Sequence, residues 1–463
     1  MSQPSSVSSS PSLSWEAQQW RIKILVATYI AYVGYYLTRK TFTIAKTTIA
    51  NEFGWGLDAT GHIWATFLFA YMVGQFLSSY VGRRYGPRVL LLGGLGISIM
   101  INAVFGFIGA FNVFLLFMFL NGLMQATGWP GCVGGVSRWL RPAERGSIMG
   151  VWSTNYLIGN MVVKGLGGVI LGPAGLCYLL PSLTFLSYIQ GWRWAFWAMA
   201  ILSIAIWCIV FFWQRDKPED VGLASIVEEK TAETEDRRTV RAAEAEHLRF
   251  REYLMLALNP AIVTMGMSYF CIKFLRYALD SWLPAFLNIK GLDVANASFY
   301  SSVFDMAGLA GAIVAGIALD RVFKGNWAAL CFTLGLMMIA SYGAVIVFGT
   351  TPGAIALCYG LVGFSLYGPD TILAGAAAVQ VAGEKNGVAV AGVVNGIASL
   401  GPVIQEEVIA WFVKGDPLAG MHNANIMALA MSITFACLMV YMMWRYHVIH
   451  KGFRDAAADR STP

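Results

Sequence analysis

Apolar runs long enough to cross a lipid bilayer recur along the whole of this 463-residue chain. A spanning helix needs roughly 20 predominantly apolar residues. Runs of that kind occupy about 22–49, 59–82, 88–110, 112–139, 145–172 and 192–213. A polar stretch, 214–250, interrupts them, and six more follow at about 257–287, 296–320, 326–348, 353–381, 386–413 and 423–446. The pattern predicts an all-α membrane protein of about twelve transmembrane helices in two six-helix halves.

Composition agrees. Charged residues make up 13% of the chain, against about 25% in a soluble globular protein. Most of the surface must therefore face lipid. The 49 glycines suit helices that pack closely in a bilayer. The net charge of +6 is not gathered into a basic arm, so no nucleic-acid partner is expected. The seven cysteines are scattered with no CxxC spacing, and the five histidines fall near helix ends or in loops. Neither a disulfide framework, a metal site nor a cofactor is expected. No nucleophile–base–orienter set appears, which argues against an enzyme.

Loop charge sets the orientation. Arg83, Arg84, Arg88, Arg138, Arg141, Arg145, Arg215, Arg237, Arg238, Arg241, Arg321 and Lys324 all fall on one side, and Arg445, Lys451 and Arg454 follow in the tail. The opposite loops hold few cations, such as Lys290 and Lys414. Both termini and the central linker are expected in the cytoplasm. The expected organisation is a disordered N-terminus over 1–21, a bundle over 22–213, a linker over 214–256, a second bundle over 257–446 and a tail over 447–463.

The halves repeat. Gly82-Arg83-Arg84-Tyr85-Gly86-Pro87-Arg88 follows the second run, and Gly316-x-x-x-Asp320-Arg321-Val322-Phe323-Lys324-Gly325 follows the eighth. Both resemble the short loop signature of the major facilitator superfamily. That resemblance implies two bundles that rock about a site near the bilayer midplane.

Ionisable residues at bilayer depth are costly and face a cavity or a partner. Here they are Arg39, Lys40, Lys164, Lys273, Arg276, Asp280, Asp305, Asp370, Glu406 and Glu407. Arg39 and Arg276 lie at similar depth in the first and seventh runs, which are repeat equivalents. Two guanidinium forks facing one another would match phosphate oxygens bidentately. The competing expectation is a local pair of Arg276 with Asp280 at i,i+4. Lys273, Arg276 and Asp280 share one helix face. Lys40 points about 100° away from Arg39, so only one of the two aims at the cavity centre. Tyr36 and its neighbours Tyr32 and Tyr35 could add hydroxyl contacts or simply pack. Lys164 in the fifth run faces Glu406 and Glu407 in the eleventh, an expected gate between the halves, unless one of those acids is solvated at the outer end.

Longer stretches are more specific. Tyr35-Tyr36-Leu37-Thr38-Arg39-Lys40-Thr41-Phe42 resembles the first-helix signature of the organophosphate:phosphate antiporter family. Asn121-Gly122-Leu123-Met124-Gln125-Ala126-Thr127-Gly128-Trp129-Pro130 is similar to its fourth-helix motif, which continues to Trp139 and Glu144-Arg145-Gly146. Leu275-Arg276-Tyr277 with Trp282-x-Pro284, Asp305-Met306-Ala307-Gly308, and Tyr367-Gly368-Pro369 resemble the seventh, eighth and tenth helices.

The resemblance implies exchange of an organic phosphate for inorganic phosphate by a single chain in the membrane. It implies phosphate binding by Arg39 and Arg276, with Lys40 and Lys273 in support. Tyr156 stands where glycerol-phosphate members carry a histidine, and Lys273 where they carry a tyrosine. The family also contains sugar-phosphate sensors that work with a partner kinase, so a sensor is an alternative. A proton-coupled anion transporter using Asp305, Asp370 or Glu406 is another.

Overall fold

The computed structural model describes residues 14–140, 148–149, 151–172, 189, 191–224 and 258–459. At 76, 79–80, 83, 137, 375–376, 378–389, 391 and 446–459 it describes the backbone alone. Arg141, Arg145, Cys177 and the charged linker residues 228–241 lie outside the described residues.

The first half holds α1 (Trp15–Phe53), α2 (Leu57–Tyr85), α3 (Pro87–Phe105), α4 (Phe111–Gln125), α5 (Gly128–Ser137), α6 (Asn155–Val162), α7 (Gly168–Leu171) and α8 (Gly191–Trp213). The second holds α9 (Pro260–Ile289), α10 (Val294–Arg321), α11 (Trp327–Phe348), α12 (Pro352–Thr371), α13 (Ala377–Val413) and α14 (Pro417–Asp459). Helices α4 and α5 form one apolar span, Phe111–Val136. A π turn, Val163–Gly167, joins α6 to α7, and a second, Ile372–Ala376, joins α12 to α13. Among the described residues, eight helices are long and apolar enough to cross a membrane. The more polar α1, α2 and α12 and the α6–α7 pair complete the twelve expected crossings.

Local chemistry sets the ends. Ser14 caps α1, its hydroxyl accepting from the Ala17 amide at 3.2 Å, and Gly54 ends the helix in the left-handed region at φ 65°. Residues 15–21, expected in a disordered N-terminus, are thus helical. The backbone of α14 is likewise helical to Asp459, through most of the expected tail. Asp293 caps α10, and the Asn296 amide that donates to it holds its carboxyl below the usual carboxylate range. Both repeat loops turn through left-handed residues, Gly86 at φ 85° and Lys324–Gly325 at φ 49° and 83°. The start of the linker docks on the first of these loops. The Arg88 amide donates to Asp216 at 2.8 Å, and burial pushes that carboxyl up.

Each half has its own apolar core, and the cores touch. Leu157 of α6 joins the cluster of the second half, while Tyr277, Val294 and Val403 pack against that of the first. Small residues permit the closest approaches. A Cβ on Gly61 would lie 2.6 Å from the Ala410 Cβ, and one on Gly168 would lie 2.8 Å from the Ser298 Cβ. Among the described residues, hydrogen bonds and ion pairs between the halves fall at Lys40 or beyond it, away from the N-terminus of α1. They join Lys40, Lys46, His62, Asn160 and Lys164 to the second half. The bundle is therefore closed at the end remote from the termini, which we call the far end.

Overpacking that contact should open it. Gly61→Leu should disfavour far-end closure by about 1–3 kcal/mol. The expected outcome is faster labelling of a single cysteine at position 407, with expression unchanged; unchanged labelling would show that Gly61 does not limit closure.

Candidate binding site

Arg39 is 4% exposed in the middle of the bundle. Its guanidinium carbon stands 4.5 Å from the Tyr71 ring centroid, 5.5 Å from Phe67 and 5.6 Å from Tyr36. These rings supply cation–π attraction in place of an acid. Among the described residues Arg39 has no carboxylate within ion-pair distance, and its Nε–H has no acceptor. The preceding residue, Thr38, is fixed by three side-chain amides from α3 and α4. Asn102 and Asn121 donate to the Thr38 carbonyl at 2.8 and 3.2 Å, and Gln125 donates to the Thr38 hydroxyl at 2.8 Å. Asn121 and Gln125 belong to the fourth-helix motif, which therefore holds the backbone that carries Arg39. The glycines of that motif have a packing reason: a Cβ on Gly128 would meet the Tyr35 ring at 3.0 Å.

Arg276 lies across the bundle and is bound differently. Its Nη1 donates to Asp370 Oδ2 at 2.7 Å, and its guanidinium faces Tyr367 at 4.9 Å and Tyr156 at 5.1 Å. The Arg276 Nε–H and Asp370 Oδ1 are buried without partners. Tyr36 and Tyr277 lie within electrostatic reach of both guanidiniums. Tyr36 and Tyr156 stand with ring centroids 6.4 Å apart, closing an aromatic wall between the arginines. The Tyr35 hydroxyl is committed elsewhere, to Thr127 at 2.8 Å and the Leu91 carbonyl at 3.1 Å.

A polar chain joins the halves just beyond the arginines. Lys40 pairs with Asp280. Asn160 donates to Asp280 at 2.9 Å and to Asp305 at 3.0 Å. Lys164 completes the chain, binding Asp305 at 2.6 Å and the Ser301 carbonyl at 3.2 Å. Lys164 sits in the π turn of crossing five, and Asp370 comes just before the π turn after α12. Such turns shift side-chain register and mark functional sites.

The expected charge pairs are thus rearranged. Asp280 takes Lys40 rather than Arg276, because its side chain is drawn into the interface between halves. The gate of Lys164 with Glu406 or Glu407 does not form, since Asp305 is nearer to Lys164. Glu406 instead pairs with Lys46, both fully buried. Ser281 and Gln405 donate to its other oxygen at 2.7 and 2.8 Å, and Trp282 lies 3.9 Å from the ammonium. Glu407, half exposed, meets His62 at 2.7 Å. Sequence reasoning passed over Lys46. The available signal was a cation seven residues after Arg39, on the same face of an apolar helix.

Part of the chain matches known proteins. The family model described as Major Facilitator Superfamily matches residues 28–405. A probable hexose phosphate transport protein of Chlamydia pneumoniae is 30% identical, with 79% of each chain covered. A glycerol-3-phosphate transporter of Bacillus subtilis is 28% identical over 79% of this chain and 80% of its own. A crystal structure of a bacterial homologue of the human lysosomal transporter Spinster superposes with TM-score 0.73 at 16% identity, covering 91% of this chain and 97% of that one.

Removing one member of a buried pair leaves the other uncompensated at about 3–5 kcal/mol. Glu406→Gln or Lys46→Met alone should sharply reduce yield or thermal stability. Lys46→Glu combined with Glu406→Lys should recover much of the loss. Lys164→Glu with Glu406→Lys should recover none, and recovery there would refute the pairing described above.

Proposed function

This chain belongs to the Major Facilitator Superfamily and, within it, to the organophosphate:phosphate antiporter family, and from that premise we propose that it exchanges a sugar or glycerol phosphate for inorganic phosphate by alternating access. The observation that carries the reading is Arg39, a buried guanidinium held by aromatic rings and, among the described residues, left without an acid. Arg276, shared with Asp370, supplies the second fork from the other half. A phosphoryl group between them takes bidentate, charge-assisted hydrogen bonds. Tyr36 and Tyr156 line the space between. Lys40 and Lys164 neutralise Asp280 and Asp305, so an anion entering the site meets no bare carboxylate.

The two halves then close around the ligand. At the far end the Lys46–Glu406 and His62–Glu407 pairs keep the path shut. Parting the halves there breaks those pairs, and closure must form on the terminal side. The phosphate links both bundles and biases the exchange, because it binds the closed arrangement through two forks and each open one through fewer. All these residues come from one chain, which suits a monomer. The basic loops favour termini on the cytoplasmic side of a bacterial inner membrane.

The test is reconstitution in liposomes loaded with phosphate. Labelled phosphate should exchange, and hexose phosphates or glycerol 3-phosphate should compete. Arg39→Lys keeps the charge and loses the planar fork, and should cut exchange at least about tenfold at equal expression. Near-normal exchange would remove Arg39 from the phosphate site. Binding without flux would mark a sensor, and uptake driven by a proton gradient without internal phosphate would mark a proton-coupled carrier.

A further inference from the structure

The stripe of α13 that carries Glu406 runs back into the open part of the bundle. Val403 packs on the core of the first half, and Glu406 bonds Lys46. One and two turns back stand Ser399, half-buried, and Asn395, which is exposed. Lys273 of α9 reaches this stripe. Its ammonium donates to Asn395 Oδ1 at 2.5 Å and lies 3.4 Å from Ser399 Oγ, with the Tyr269 ring 4.9 Å away. Lys273 comes one turn before Arg276 on the same face, on the terminal side of the phosphate candidates. Among the described residues no carboxylate pairs with it. A lysine, an amide and a hydroxyl thus meet at membrane depth on an open wall, and the charge pairs of the interface do not use them.

Charge counting constrains what they take. Among the described residues, Arg39, Lys40, Lys164, Lys273 and Arg276 stand around the cavity, against Asp280, Asp305 and Asp370. Five cations less three acids leaves two positive charges, the two without an acid being Arg39 and Lys273. A phosphate monoester carries about −1.5 to −2 near neutral pH, so one phosphoryl group balances the site. A further anionic group would leave net negative charge where desolvation is costly. The second group at the wall is therefore neutral and polar. The ammonium is a donor, and the amide and hydroxyl offer both donors and acceptors, the complement of vicinal hydroxyls.

From this arrangement we infer that Lys273, Asn395 and Ser399 form a subsite for the hydroxylated, non-phosphate part of the substrate, and that they set selectivity among phosphate monoesters. The inference rests on the phosphate reading of Arg39 and Arg276. It divides the site in two: the arginines hold the phosphoryl group, and the α9–α13 wall reads what is attached to it.

Competition against labelled phosphate tests this, with glucose 6-phosphate, ethyl phosphate, 3-phosphoglycerate and unlabelled phosphate as competitors. In Lys273→Gln, Asn395→Ala and Ser399→Ala proteins, apparent affinity for glucose 6-phosphate should fall about tenfold or more, most in the lysine variant. In the Asn395→Ala and Ser399→Ala proteins affinity for phosphate and for ethyl phosphate should change less than about threefold, which also shows that they fold. Lys273→Gln, which removes one of the two uncompensated charges, should weaken binding of every phosphate, and that of glucose 6-phosphate at least about threefold more than the others. An equal loss for phosphate and glucose 6-phosphate would place Lys273 in the phosphoryl site and overturn the inference. No loss for glucose 6-phosphate would overturn it, as would a loss confined to 3-phosphoglycerate. The same comparison by direct binding to purified protein separates the two readings. Lysine-dependent glucose 6-phosphate binding in a wild-type protein that exchanges no phosphate would uphold the subsite and remove only the exchange.

Discussion

A cation inside a membrane must be neutralised by something, and most of this bundle's interior follows from how that is done. Lys40, Lys46 and Lys164 of the first half each find their acid in the second. None of the three pairs lies within a half. The desolvation cost of each ion is several kcal/mol and is offset only while the partner is in place. The pairs therefore stabilise one arrangement of the halves rather than the halves themselves. Separating them dry would be prohibitive, but separating them into a water-filled opening is not. That difference gives the interface two acceptable states, closed and hydrated, with little between.

Arg39 is the exception. It is as buried as the lysines, yet aromatic faces take the place of an acid. Aromatic faces attract a cation less strongly than a carboxylate does, and they do not repel an incoming anion. The arginine thus keeps its donors available at a tolerable cost. Arg276 is less free, since Asp370 holds one arm of its fork. The two arginines, equivalent in the repeat, are therefore unequal as the proposed anion sites. Much of the precision at Arg39 comes from neutral residues behind it, where three amides grip Thr38.

The helical architecture was legible because hydrocarbon demands long apolar runs, and the run boundaries fell within a few residues of most helices. The depth of Arg39 and Arg276 was legible for the same reason: position along a helix is distance into the membrane. Partner choice was not. Lys164 has Asp305, Glu406 and Glu407 on opposing helices, and sequence spacing does not fix helix rotation or the register shift of a π turn. Lys46 escaped notice beside the stronger Arg39–Lys40 motif. Asn102 carried no signal, and the motif that contains Asn121 and Gln125 did not say what they hold, since their targets are the carbonyl and hydroxyl of Thr38, which no sequence pattern marks.

Binding and gating are also joined by ordinary helix geometry. On α1 the substrate candidate Arg39, the network cation Lys40 and the far-end cation Lys46 fall within about 10 Å along the axis, at 1.5 Å per residue. On α9 the same order recurs: Lys273, Arg276, Asp280, then Ser281 against Glu406. A helix of this length moves nearly as a rigid body on the scale of one turn. A rotation that draws Arg39 and Arg276 together on a phosphoryl group therefore displaces Lys40 relative to Asp280 and Lys46 relative to Glu406. On the proposed reading the signal needs no long pathway through the protein, because the arginines proposed to hold the ligand and the groups that join the halves at the far end ride on the same two helices.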